Sequence, residues 1–270
     1  MTELPEVETV RRGLHQLYLG RPLLGLVLEG HRTVRRHPPG LLRQLEGRVL
    51  EGTDRVGKFL FLRWSGGRDL VVHLRMSGQL RAEQRGAQRR PHTHAVMAFD
   101  GAGEVHFVDP RTFGELFLLD EARPEGLGHL GPDALRLSAG HLARALDGRR
   151  APLKALLTDQ RVVAGVGNIY ADEICFAARV RPDRPAGSLS RPAVARLVAG
   201  TTDVLARAIE AGGSTLGDGQ YCDLFGQPGS FQLQHAVYGR EGLPCRSCAR
   251  PVARVRLGAR SSYFCPRCQR

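Results

Sequence analysis

The segment C-R-S-C-A-R-P-V-A-R-V-R-L-G-A-R-S-S-Y-F-C-P-R-C, residues 245–268, holds two Cys-x-x-Cys pairs with sixteen residues between them. Four thiolates at that spacing form a tetrahedral structural zinc site on a β-hairpin, so Cys245, Cys248, Cys265 and Cys268 are the expected ligands of one structural Zn2+. Two disulfides are the alternative, and they require an oxidising compartment. Arg250, Arg254, Arg256 and Arg260 lie between the pairs and place cations on the hairpin. Cys175 and Cys222 have no partner pattern and read as packing residues.

No window approaches eighteen uncharged apolar residues, and the start of the chain lacks a basic-then-apolar leader. The expected location is therefore the cytosol, where thiols stay reduced and bind metal, and no membrane partner is expected. A length of 270 residues allows one large or two ordinary domains, and 42% hydrophobic content suffices for their cores. Thirty-nine Lys+Arg against 27 Asp+Glu leave a formal charge of +12, which suits a polyanion, nucleic acid above all. Only Lys58 and Lys154 are lysines; the other 37 cations are arginines. An ammonium can lose its proton and a guanidinium cannot, so the two lysines are candidates for chemistry, with chance survival as the alternative.

At the other end, M-T-E-L-P-E-V-E-T-V-R-R-G (1–13) reads as an amphipathic helix opening from the chain start. Pro5 suits a first turn, Glu6 and Glu8 favour the positive helix end, and Val7, Val10, Leu14 and Leu17 share a face. Glu3 and Glu6 are thereby held near whatever group begins the chain; an ordinary capped surface helix accounts for the same pattern. Short β-rich runs follow at 23–28, 48–54, 58–64, 69–74, 95–99, 104–108 and 115–119, with hairpin turns at 65–67 and 100–103 and a short helix over 39–45 stopped by Gly47. Seven strands at this spacing predict a β-sandwich or barrel flanked by two helices. Beyond a Gly/Pro/Glu-rich linker the period turns helical, with Ser138 capping one helix and others over 152–158, 168–178 and 190–211, the last ended by Gly212-Gly213. The turn Val163 to Asn168 (V-A-G-V-G-N) either offers N–H groups and a helix dipole to a phosphate or simply joins two helices. The long loop over 214–231 reads as a lid, a binding loop or disorder.

Several unrelated motifs stand in one order: Glu3-Leu4-Pro5-Glu6-Val7-Glu8-Thr9, Gly57-Lys58-Phe59, His73-Leu74-Arg75-Met76-Ser77-Gly78, Asp109-Pro110-Arg111-Thr112-Phe113-Gly114, Gly165-Val166-Gly167-Asn168-Ile169-Tyr170, Gly212-Gly213-Ser214-Thr215-Leu216 and residues 260–269. In these the chain resembles the formamidopyrimidine-DNA glycosylase family over nearly its whole length. The resemblance implies an α+β fold with an N-terminal two-layer β-sandwich flanked by helices (1–120) and a linker (121–133). A helical helix-two-turn-helix domain (134–230, lesion loop 214–230) and a C-terminal zinc-finger β-hairpin (231–270) complete it, with DNA crossing the cleft between the lobes. It further implies a bifunctional DNA glycosylase/AP lyase of base excision repair that removes 8-oxoguanine and formamidopyrimidines and cleaves the strand by β,δ-elimination. The implied partner is double-stranded damaged DNA, bound by a monomer in the bacterial cytoplasm at the nucleoid.

Roles carry over by position. Met76, Arg111 and Phe113 match a wedge in which Phe113 enters the base stack, Met76 fills the vacated space and Arg111 bonds the orphaned partner base. Lys58, His92, Arg150, Lys154, Asn168 and Arg260 match phosphate contacts. Glu3 matches the acid that protonates the opened sugar or the departing base, Glu6 a structural or assisting carboxylate at the DNA, and Lys58 and Arg260 helpers in strand scission. Leu4 between Glu3 and Pro5 matches the purine-lesion branch rather than the endonuclease VIII branch.

Two departures stand out. Gly217-Asp218-Gly219-Gln220 occupies a stretch that is commonly more charged in the family, which puts lesion preference in question. Thr2 stands where the family has proline, whose secondary amine attacks C1′ once the initiator Met is removed. Threonine is small enough for Met1 to be removed, leaving a primary amine with a pKa of about 7.7–8 that can still attack. Its imine must stay protonated to act as an electron sink, so excision is expected at a reduced rate; retention of Met1 would displace the amine by ~3.8 Å and stop it. The competing expectation is a protein that grips damaged or abasic DNA without turning it over. A zinc-ribbon protein of unrelated purpose leaves the N-terminal acids and both lysines unexplained.

Overall fold

Helix α1 (Leu4–Tyr18) forms where Pro5 enters its first turn and Glu3 and Glu6 close a reciprocal capping box, each side chain accepting from the other's backbone. The computed structural model describes residues 2–29, 32–120 and 127–270. Met1 and the 121–126 part of the expected linker lie outside the described residues. The chain divides into two units, Met1–Gly128 with Ala211–Ser230, and His129–Glu210 with Phe231–Arg270.

The first unit contains β1 (Leu23–Leu28), β2 (Leu50–Val56), β3 (Phe59–Trp64), β4 (Arg68–His73), β5 (Gln79–Glu83), β6 (Thr93–Phe99), β7 (Gly103–Val108) and β8 (Glu115–Asp120). They pair antiparallel into two four-stranded sheets, β1-β6-β7-β5 and β2-β3-β4-β8. The predicted helix over Pro39–Leu45 is a 3-10 helix. Val10, Leu14 and Tyr18 of α1 join Leu60, Leu62 and Trp64 of β3, Phe99 of β6 and Phe107 of β7 in one core. Tyr18 and Trp64 both pack on the Phe99 ring, at 4.4 and 5.8 Å between centroids. The apolar periodicities of 3.6 on the helix and 2 on the strands thus converge on one layer.

Two features differ from the sequence expectation. An eighth strand, β5, is present; its sequence Q-L-R-A-E carries no alternating apolar pattern, because Leu80 is its one fully buried side chain. The segment Ala211–Ser230, expected in the helical domain, instead groups with the sandwich. Leu224 is fully buried in the sandwich core with Tyr221 beside it, and main chain is donated from Ala82 N to Leu224 O at 2.8 Å. Gly13 leaves room for this: a Cβ there would sit 3.1 Å from the Leu224 side chain.

The second unit holds α2 (Ala139–Leu146), α3 (Leu153–Leu157), α4 (Asn168–Ala177) and α5 (Arg191–Glu210), then β9 (Ala253–Leu257) and β10 (Arg260–Phe264) paired antiparallel. Ser138 caps α2 as expected, its Oγ accepting from His141 N at 3.2 Å. Helices α4 and α5 approach closely at Gly200, where a Cβ would meet that of Ala177 at 3.3 Å.

Candidate active site and metal centre

The head of α1 is closed to solvent: Glu3 and Glu6 are fully buried and Thr2 nearly so. Glu6 accepts from Glu3 N at 2.9 Å and from Ser214 N at 2.8 Å, so its carboxylate is spent on main chain. Gly213, at φ +83, lies so near that a Cβ would sit 2.8 Å from Glu6 Oε1. A buried carboxylate engaged by main-chain N–H donors organises the head of α1. Thr2 donates to the Arg75 carbonyl from Oγ1 at 2.6 Å and from N at 3.3 Å. On the next turn Glu8 meets Arg11, Arg12 and Arg55. Burial opposes its ionisation, but those guanidiniums prevail and hold its carboxyl below the usual range. Lys58 takes the second position of the two-residue Gly57-Lys58 turn between β2 and β3, where Gly57 adopts φ +58.

The three expected wedge residues ride on two loops tied to one residue. Asp109, 1% exposed, accepts from Ser77 Oγ at 2.5 Å, Gly114 N at 2.6 Å and Arg111 N at 3.2 Å. Ser77 anchors the Met76 loop, and Arg111 and Gly114 bracket the Phe113 loop. Gly114 is required there, because a Cβ would fall 2.5 Å from the Phe107 ring. On this frame Phe113 stays 44% exposed with the Arg111 guanidinium 4.9 Å from its ring centroid, while Met76 is half-buried. His92 is exposed at φ 66, and its carbonyl accepts from Asp109 N at 2.9 Å. Asp109 is a functional residue that sequence reasoning misses, because in sequence it resembles any turn aspartate.

In the second unit, Gln160 braces the glycine turn, accepting from Gly165 N at 2.9 Å and donating to Val166 O at 2.8 Å. Gly165 there has φ 111, and Asn168 opens α4. Asn168 donates to Tyr238 Oη at 3.3 Å. The 236–238 loop hangs on buried Glu173, whose carboxylate accepts from Ala236, Val237 and Tyr238 N at 2.8, 2.9 and 2.8 Å. Arg150 and Arg260 are exposed, Arg260 opening β10, and so are Arg250, Arg254 and Arg256. Lys154 is different. It is 3% exposed and donates to Asp172 Oδ2 at 2.8 Å and Ser261 O at 2.9 Å. An enclosed ammonium of this kind fastens the hairpin to α3 and α4. Burial pushes the Asp172 carboxyl up to about 6 against the pull of Lys154 and of the Ser262 hydroxyl, which donates to it at 2.6 Å.

The four cysteines of the two pairs place their Sγ atoms within 4.8 Å of one another. Cys245–Cys268 and Cys248–Cys265 lie at 3.9 and 3.5 Å. A tetrahedron of Zn–S bonds near ~2.3 Å has S···S edges of about 3.8 Å, so the donor set fits one structural zinc. Ser247 N and Cys268 N donate to the sulfurs of Cys245 and Cys265 at 3.4 Å, as ligand-orienting amides do. Cys175 is buried and Cys222 half-buried, both outside the cluster.

Comparison with known sequences covers the same parts. Residues 1–116 match the formamidopyrimidine-DNA glycosylase N-terminal domain, 130–219 its H2TH domain and 242–270 the zinc finger found in FPG and IleRS. The class is a zinc-containing DNA glycosylase of DNA repair. Formamidopyrimidine-DNA glycosylases of Thermus thermophilus and Nocardia farcinica are 47% and 41% identical, each aligned over 100% of this chain and 98% of the relative. The crystal structure of the MutM (Fpg) protein from Thermus thermophilus superposes with a TM-score of 0.88 at 46% identity, covering 99% of this chain and 98% of that one. A complex of Lactococcus lactis Fpg with DNA containing an abasic site superposes at 0.91 with 30% identity, covering 99% of each chain. The chain belongs to the formamidopyrimidine-DNA glycosylase family, which comprises DNA glycosylase/AP lyases.

Proposed function

We propose that the chain excises oxidised purines, 8-oxoguanine and formamidopyrimidines, from double-stranded DNA and then cleaves the strand. After removal of Met1, the Thr2 amine attacks C1′ of the damaged nucleotide. The base leaves, protonation comes from Glu3, and the opened sugar is held as a protonated imine. Loss of the C2′ proton expels the 3′ phosphate, and a second elimination expels the 5′ phosphate, with Lys58 and Arg260 assisting. Phe113, Met76 and Arg111 act as the wedge, and Lys58, His92, Arg150, Lys154, Asn168 and Arg260 hold phosphates. The sandwich carries the chemistry, the helical domain and zinc hairpin carry the DNA, and the protein acts as a monomer in the cytoplasm. The reading rests on one observation above all: Thr2 is held at the Arg75 carbonyl beside buried Glu3, in the unit that carries the exposed Phe113. A second reading, damage binding without turnover, is favoured by the threonine at position 2.

Borohydride trapping on a duplex with one 8-oxoguanine opposite cytosine, followed by peptide mapping, separates the two. A covalent adduct on the Thr2 amine is expected. An adduct on Lys58 would keep the enzyme and move the nucleophile, and lesion-selective binding with no adduct would leave the binding protein.

A further inference from the structure

A proline ring at position 2 restrains its own nitrogen; threonine has no ring, and the structure shows what restrains it instead. The nitrogen and Cβ of residue 2 both hang on its Cα, so rotation about Cα–C swings them together. Threonine is β-branched and stiff at χ1, so fixing Oγ1 limits the swing of the nitrogen as well. In the chain that still carries Met1, Thr2 is 6% exposed, and its hydroxyl and its peptide N–H converge on one acceptor, the Arg75 carbonyl, at 2.6 Å from Oγ1 and 3.3 Å from N.

That carbonyl is itself placed. Arg75 adopts φ 56, a left-handed conformation that side-chain-bearing residues rarely take, and this turns its carbonyl toward Thr2. Its N–H donates to His73 Nδ1 at 2.9 Å, and Gly78 N closes the same turn on Leu74 O at 2.9 Å. His73 is buried at the end of β4, with its ring edge-on to Phe59 at 4.4 Å. From the sheet outward, the chain of contact runs His73, Arg75, Thr2.

We propose that the Thr2 hydroxyl is the positioning group for the residue-2 amine, its hydrogen bond to the Arg75 carbonyl taking over the restraint that a proline ring would give. The inference rests on the reading of Thr2 as nucleophile. Serine keeps the donor; alanine and valine discard it, valine at nearly constant volume.

The test is single-turnover borohydride trapping on an abasic-site duplex at saturating protein, using the wild type, Thr2→Ser, Thr2→Val and Thr2→Ala, each checked by intact mass for Met1 removal and by duplex affinity. Thr2→Ser should trap within about threefold of wild type, and Thr2→Val and Thr2→Ala about tenfold more slowly at unchanged affinity. Wild-type trapping rates in Thr2→Val and Thr2→Ala, or a Thr2→Ser as slow as they are, would overturn the proposal while leaving the nucleophile in place. A wild-type protein with no adduct at residue 2 would instead remove the reading on which the proposal stands.

Discussion

Phe113 leaves 44% of its surface to water on a loop otherwise pinned by Asp109. A large aromatic in that position contributes little to folding, because the stabilisation it could give scales with the area it hides. Phe113→Ala should therefore leave the unfolding free energy within about 0.5 kcal/mol of wild type, while weakening binding to an 8-oxoguanine duplex about tenfold, the worth of one lost stack. Equilibrium denaturation and a binding titration check the two halves, and a large stability loss with unchanged affinity would make Phe113 a packing residue. At this scale the sequence was informative where side-chain chemistry is rare, as with the paired cysteines. It was silent where chemistry depends on enclosure: nothing near Lys154 in the chain reports that its ammonium meets Asp172, eighteen residues on. Nothing in the local sequence reports that Glu6 faces inward to Ser214.

The strand end at His73 carries a pH dependence for its whole element. Burial, reinforced by Arg75, Lys58 and Arg36, depresses the imidazole pKa to about 3. The unfolded chain, with an ordinary histidine near ~6.5, binds that proton more readily, so the stability due to neutral His73 is complete above pH ~6.5 and is lost as pH falls from there toward 3. Protonation would also abolish the Nδ1 acceptor for Arg75 N–H, loosening the β4–β5 turn. The denaturation free energy should fall by about 1.4 kcal/mol per pH unit between pH 6 and 4 from this group, and His73→Asn should flatten that limb. Identical slopes in the two proteins would mean the ring is not held neutral. Strand β4 was legible because four of its six residues are buried, whereas β5 was not, since an edge strand buries little and its pairing with β7 is a long-range choice.

Across the whole molecule, the sandwich and the zinc hairpin draw their stability from different sources. The sandwich has an extended aromatic and aliphatic core, whereas the zinc hairpin has a buried cluster of Val237, Cys245, Val252 and Cys265. Metal binding of roughly 10–16 kcal/mol is the natural source of order for so small a core. The single tryptophan, Trp64, lies in the sandwich and reports on that unit alone. Zinc removal by a chelator should abolish duplex binding and hairpin structure while leaving Trp64 emission unchanged; a shift of that emission would show that the sandwich depends on the metal. Domain order was legible in the motifs, but the return of Ala211–Ser230 to the first unit was not, because its buried Tyr221 and Leu224 have no periodicity to declare them.

That return means the backbone crosses between the units three times, after Gly128, Glu210 and Ser230. Neither unit is one uninterrupted stretch of gene, so no single recombination joint can transfer either of them whole to another protein. Such a pair is inherited together, and its two halves must diversify by substitution rather than by exchange.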